Sequence, residues 1–91
     1  MGDIDTRQST ESAAQIEPEV RRIVGEILEM EGRSIDLNAQ LVEDLGMDSM
    51  KALEILAALE KRFRIRIPED QLLRMTTLRS IIDVALRYAN R

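Results

Sequence analysis

The residues best suited to take part in chemistry lie around a serine, Ser49, in the stretch Leu-Gly-Met-Asp-Ser-Met at residues 45–50. Gly46 suits the end of one local structure. Asp48 and Ser49 are both good N-caps for a following helix, because a side-chain oxygen can accept a backbone N–H at a helix start. A serine in this position is most often only a cap, so the stretch alone predicts a helix start and leaves the role of the hydroxyl open.

The composition argues against a self-contained enzyme. The chain has no histidine and no cysteine. It therefore lacks the usual general base, the usual metal ligand, thiolate metal sites and any disulfide framework. Ser49 has no activating base in this chain, since Asp48 is an ordinary carboxylate. We predict that the protein is not an enzyme.

Three carboxylates, Glu43, Asp44 and Asp48, precede the helix start. Such a group could attract a divalent cation. Carboxylates in front of a helix are more often solvated or capping groups. We therefore predict no metal site.

The helix that positions Ser49 is predicted over residues 49–63, with two different sides. The core stripe at 3.6-residue spacing is Ala52, Leu56, Leu59 and Phe63, flanked by Leu53 and Ile55. The opposite side carries Met50, Glu54, Ala57 and Lys61, with Lys51 and Ala58 beside them. A solvent face that keeps Met and Ala is typical of a docking face.

The other elements complete an all-α prediction. Residues 1–15 are polar without a sustained period and are predicted to be a disordered tail. A first helix is predicted over residues 17–31, with Pro18 in its first turn, Gly25 allowing close packing and Gly32 as the C-cap. The long loop at 33–47 is expected to be pinned to the core by its apolar residues, Ile35, Leu37, Leu41 and Leu45.

The C-terminal part adds two more helices. Residues 64–68 are predicted to be an extended connector that places Ile65 or Ile67 in the core, followed by a short third helix at 69–73. Thr76 or Thr77 caps a last helix at 78–88, whose inward residues are Leu78, Ile81, Ile82, Ala85 and Tyr88. The fold prediction is a four-helix bundle with a long first loop and a short third helix, forming one domain over residues 16–91.

Length and charge limit the functional classes further. No apolar run approaches about 18 residues and no signal-peptide pattern is visible, so we predict a cytoplasmic protein without stable membrane insertion. We also expect a monomer. The net charge is −4, with 12 acids and 4 bases in residues 1–48 against 5 acids and 9 bases in residues 49–91. This balance does not fit a general nucleic-acid binder.

Residues 45–50 resemble the attachment motif of acyl carrier proteins, Leu-Gly-x-Asp-Ser-Leu, with Met50 in place of the commoner Leu. The resemblance continues through Phe63 and Ile-Arg-Ile-Pro-Glu-Asp at 65–70, which look like the end of the family's second helix and its Ile-Pro-Asp/Glu turn. Residues 75–78 resemble the start of its last helix. The match covers about residues 16–90.

This resemblance implies that Ser49 carries a 4′-phosphopantetheine arm, transferred from coenzyme A by a separate phosphopantetheinyl transferase. The arm's thiol would hold an acyl group as a thioester for acyl-transferring or acyl-modifying enzymes of fatty acid, lipid or polyketide biosynthesis. Asp48 would be a recognition residue for the transferase, a cap, or both. A phosphodiester at a helix N-terminus is favoured by the free N–H groups and the helix dipole.

The chain departs from the family in its charges. Carriers for fatty acid synthesis have an acid-rich second helix, whereas this stretch has basic residues at Lys51, Lys61, Arg62, Arg64 and Arg66. We therefore expect a specialised carrier with dedicated partners, recognised through Asp48, Met50, Lys51, Glu54, Ala57 and Lys61. Two alternatives remain: a peptidyl or aminoacyl carrier, whose motif usually has Gly-Gly before the serine, and an unmodified helical adaptor.

Overall fold

Three long helices dominate residues 13–89, in agreement with the apolar periods of the sequence. A computed structural model describes residues 13–89. The elements are α1 (Ala13–Leu28), a first 3₁₀ helix (Gly32–Ser34), α2 (Leu41–Leu45), α3 (Ser49–Phe63), a second 3₁₀ helix (Glu69–Arg74) and α4 (Leu78–Ala89). Over this described range there is no strand, only an isolated bridge between Gln40 and Thr77. The predicted all-α fold is confirmed.

Helix α1 differs from its prediction at both ends. It already includes residues 13–15, which were assigned to the tail, whereas residues 1–12 lie outside the described range. Ile16 is fully buried, so this part of α1 packs on the core. Pro18 therefore lies inside the helix rather than in its first turn. The helix ends at Leu28 instead of residue 31, followed by Glu29 at a left-handed φ of 60°.

Two glycines allow the chain to fold back tightly after α1. A Cβ at Gly25 would lie 2.6 Å from the carbonyl oxygen of Met30, which confirms the predicted close packing. A Cβ at Gly32 would collide with the carbonyl of Arg21. Gly32 is thus required for close approach and begins the first 3₁₀ helix, so its prediction as the C-cap of α1 was wrong.

The predicted long loop is pinned to the core as expected, although it contains α2 and the first 3₁₀ helix. Ile35 and Leu41 are buried, and Leu37 and Leu45 pack partly against the core. Backbone hydrogen bonds tie this loop to the start of α4, from Leu41 N–H to Thr76 and from Arg79 N–H to Leu37, both at 2.9 Å. Two backbone hydrogen bonds therefore attach the loop before Ser49 to the start of α4.

The core side of α3 is close to the prediction, with a shift in phase. Its buried residues are Ala52, Ile55, Leu56 and Leu59. Phe63, predicted to close the core stripe, is only half-buried, and Leu53 is 41% exposed. The reason is the end of the helix, because Phe63 is its last residue and Arg64 turns the chain away at a φ of 56°.

The C-terminal half follows the predicted plan. Ile67 is buried and Ile65 is half-buried, and the short third helix is the second 3₁₀ helix. Thr77 caps α4, since Ser80 N–H donates to its Oγ1 at 3.1 Å and its own N–H donates to Ser80 Oγ at 3.0 Å. The buried residues of α4 are Leu78, Ile81, Ile82, Val84 and Ala85, with Tyr88 half-buried.

Candidate functional site at the start of α3

The segment leading to Ser49 is anchored by its backbone and by one side chain. Gly46 ends α2 at a left-handed φ of 75°, and its N–H donates to the carbonyl of Val42 at 3.2 Å. Met47 N–H donates to the carbonyl of Leu41 at 3.0 Å, and the Met47 side chain is 96% buried, with 4% exposure. Sequence reasoning missed this anchor, because a single apolar residue in a loop has no periodicity to reveal it.

Asp48 is the N-cap of α3. Its backbone is extended, and its side chain accepts the N–H of Lys51 at 2.9 Å, while its carbonyl accepts the N–H of Ala52 at 2.9 Å. These two bonds satisfy donors that a helix start would otherwise leave free. The structure therefore resolves the choice between Asp48 and Ser49, and the serine hydroxyl is not needed for capping.

Ser49 is exposed at the first position of α3. Within residues 13–89 its hydroxyl makes no hydrogen bond, and the N–H groups of Ser49 and Met50 have no acceptor. Free N–H groups at the start of a 15-residue helix favour a negative charge. The residues present therefore fit a phosphate ester on the Ser49 oxygen, which would add an anion where donors are available.

Two of the three neighbouring carboxylates are used for capping. Asp48 caps α3, and Asp44 accepts the N–H of Gln40, the N-cap of α2, at 3.0 Å. Glu43 is exposed on the same short helix. Across the described part of the chain no group of three His, Cys, Asp or Glu residues is arranged to hold a metal ion. The two hydrogen bonds confirm the capping interpretation for Asp44 and Asp48.

The predicted outer side of α3 forms an exposed stripe. Met50, Glu54, Ala57 and Lys61 are all exposed, Met50 to 66%, and we call these four residues the α3 stripe. Lys51 and Ala58 flank it and are half-buried. Leu53 is exposed as well, and so is Val42 on α2, at 54%. Sequence reasoning had placed Leu53 beside the core and had not singled out Val42.

Arg62 does not belong with the other exposed cations. Its guanidinium donates to Glu19 on α1, with Nε 3.0 Å from Oε1, and lies 4.8 Å from the centroid of the Phe63 ring. Glu19 also binds Arg22 at 2.9 Å. The hydrogen bond from Arg22, followed by that from Arg62, lowers the pKa of Glu19. Arg62 thus connects α3 to α1, a role that no spacing pattern indicated because its partner is 43 residues away.

A second contact holds the same end of α3. The carboxylate of Glu60 accepts the backbone N–H of Ile67 at 2.8 Å, which fixes the connector after the helix. Glu60 is half-buried. Two of the charged residues near the end of α3 therefore serve the fold.

Comparison with known proteins identifies the family. The family model "phosphopantetheine attachment site" matches residues 18–85, which is more than half of the chain. A chain in the structure of the ishigamide ketosynthase/chain length factor is 28% identical, with a TM-score of 0.67 over 82% of this chain and 94% of that one.

Among the helices of residues 13–89, none combines the length and the apolar character that a membrane span requires.

A second solved structure agrees in fold. It is the apo doublet acyl carrier protein from prodigiosin biosynthesis, 23% identical, with a TM-score of 0.72 over 87% of this chain and 38% of that one. The present chain thus spans about two fifths of the doublet. The chain belongs to the phosphopantetheine attachment family: it is a carrier domain with a covalently attached 4′-phosphopantetheine group and is not itself a catalyst.

Proposed function

We propose that the protein is an acyl carrier protein in which Ser49 is the attachment residue. The observation that carries this proposal is the exposed Ser49 hydroxyl, which makes no hydrogen bond within the described residues while Asp48 performs the capping. When bound, the arm supplies a thiol that holds an acyl group as a thioester. The chain's own contribution is a fixed attachment point and two N–H donors beside the phosphate.

The partners in this proposal are a phosphopantetheinyl transferase and enzymes that transfer or modify acyl groups. The likeness to a chain from a ketosynthase/chain length factor structure favours condensing enzymes as partners. It therefore favours a role in polyketide biosynthesis over one in fatty acid or lipid biosynthesis. The protein acts as a monomer in the cytoplasm. Its partners contact Asp48, Met50, Lys51, Glu54, Ala57 and Lys61 around the arm.

The test is attachment of the arm in vitro. The purified protein is incubated with coenzyme A, Mg²⁺ and a phosphopantetheinyl transferase, and intact mass is measured. We expect one phosphopantetheine group on the wild type and none on Ser49→Ala. Ser34→Ala removes another exposed serine and should be modified like the wild type. Circular dichroism should show the same helical content for all three.

Each outcome separates the candidate functions. An adduct on Ser49→Ala would move the attachment site elsewhere, and no adduct on the wild type would favour the unmodified adaptor. A peptidyl or aminoacyl carrier would also be modified at Ser49, and it is distinguished by its cargo. Mass spectrometry of the protein from its host would then show an amino acid or peptide thioester in place of an acyl chain.

A further inference from the structure

The α3 stripe has a polarity along its length. Starting from the serine it presents apolar Met50, acidic Glu54, small Ala57 and basic Lys61, all exposed. Glu54 and Lys61 are seven residues apart, which places their Cα atoms about 10 Å apart along the helix axis and on the same side. The stripe is therefore neither acidic nor basic as a whole.

We call the Glu54 end of the stripe its acidic pole and the Lys61 end its basic pole, and neighbouring exposed charges extend both. Glu43, Asp44 and Asp48 lie before α3 and add acid near the serine. Arg64 and Arg66 follow the helix and add base at the far end. Lys51 lies to the side of the stripe and is half-buried.

The charges of the stripe are available to a partner. Over residues 13–89 neither Glu54 nor Lys61 takes part in an ion pair or hydrogen bond of its side chain, in contrast to Glu60 and Arg62 on the same helix. Exposed single charges contribute little to folding stability, whereas charge complementarity steers partners and rejects wrong ones. On α3, Glu60 and Arg62 therefore hold the fold together, whereas Glu54 and Lys61 are available to a partner.

We propose that the α3 stripe is a bipolar docking surface for the enzymes that act on Ser49. The matching surface presents a cation opposite Glu54, close to the entrance for the arm, and an anion opposite Lys61 about 10 Å further along the helix. It presents an apolar contact to Met50 and approaches the backbone closely at Ala57. This inference rests on the proposed function and adds the chemistry of the partner's surface.

The test exchanges the poles without altering the net charge. The double variant Glu54→Lys/Lys61→Glu reverses the polarity, and Asp83→Lys/Arg87→Glu makes the same exchange between two exposed residues of α4. The probe is a purified phosphopantetheinyl transferase that loads the wild type with coenzyme A. The measured quantity is kcat/KM for attachment at low and at high salt, with thermal melts to verify that each variant is folded.

We expect the α3 exchange to lower kcat/KM about tenfold at low salt and less at high salt, where screening weakens the contacts. The α4 exchange should leave kcat/KM unchanged. Each single reversal, Glu54→Lys or Lys61→Glu, should also lower the rate.

Three results would overturn the proposal. Equal kcat/KM values for the two exchanges would show that the transferase does not recognise the charges of the stripe. A faster rate for Lys61→Glu would show a partner surface that is basic throughout. A faster rate for Glu54→Lys would show one that is acidic throughout. Failure of the wild type to accept the arm would instead contradict the attachment function itself, so the two failures are distinguishable.

Discussion

The two ends of α3 are built differently. At the N-terminal end the Ser49 hydroxyl and two backbone N–H groups make no hydrogen bond within residues 13–89. At the C-terminal end Glu60 holds the backbone of Ile67, and Arg62 holds Glu19. We call the N-terminal end the open end, because its donors and hydroxyl are available to a ligand. We call the C-terminal end the fastened end, because its side chains bind other parts of the bundle. The number of charges on a helix therefore does not tell how many are available to a partner, because Glu60 and Arg62 make contacts within the fold.

The largest loss of stability should come from the middle of the helix. Leu59 is fully buried, so Leu59→Ala should lower the free energy of unfolding by about 2–5 kcal/mol. Phe63 at the fastened end is only half-buried, so Phe63→Ala should cost less, about 2 kcal/mol, although it removes a larger side chain. Urea unfolding of both variants measures this order. A larger loss for Phe63→Ala would mean that the end of α3 is part of the core.

At the open end, Asp48 tests whether the cap and the recognition of Ser49 can be separated. Asp48→Ala removes the acceptor for Lys51 N–H and should lower the free energy of unfolding by about 1 kcal/mol. Asp48→Asn keeps an N-cap oxygen, so its stability should be close to that of the wild type. We expect both variants to accept the arm more slowly, since both lose the charge. Normal attachment to Asp48→Asn would limit this residue to capping.

The smallest effect should come from the ion pair at the fastened end. Arg62→Met should lower the free energy of unfolding by less than about 1 kcal/mol, because the pair is partly exposed, and should leave arm attachment unchanged. Glu19 has a pKa below its ordinary value of 4.5, so its contribution is present above that pH and is lost as the pH falls through the lowered pKa. The difference between Arg62→Met and wild type should therefore shrink in acid.

A matched control and a pH series complete this comparison. Lys61→Met removes a neighbouring cation from the stripe and should slow arm attachment without altering stability. Denaturation curves from neutral pH to below pH 4 would follow the Glu19 contribution. A difference between Arg62→Met and wild type that stays constant over this range would show that the carboxylate of Glu19 does not stabilise the fold through Arg62.

The sequence was most informative where a pattern repeats. Helix α3 was predicted at residues 49–63, as the structure has it, because apolar residues recur at helical spacing over four turns. The exposed stripe followed from the same period. Phe63 was misplaced because a wheel assumes that the helix continues, whereas the chain turns away at Arg64.

Features set by tertiary contacts escaped prediction. The five residues of α2 are too few to show a period, and its cap comes from Asp44 reaching back to Gln40. The helical structure of residues 13–15 accompanies the burial of Ile16, which the polar sequence before it did not indicate. At the candidate site, local chemistry predicted a helix start at Asp48 or Ser49, and the role of the serine came only from the family resemblance. The burial of Met47 required the packed structure.

That anchor has a consequence for the motion of the cargo. Met47 is buried only two residues before Ser49, and α3 begins at the serine itself. If Ser49 is the attachment residue, as proposed, the attachment point moves with the core of the bundle. The volume that a bound acyl group can search is then set by the flexibility of the arm alone. Because effective concentration depends on tether length and stiffness, a fixed root keeps the cargo's local concentration high for an enzyme docked beside it.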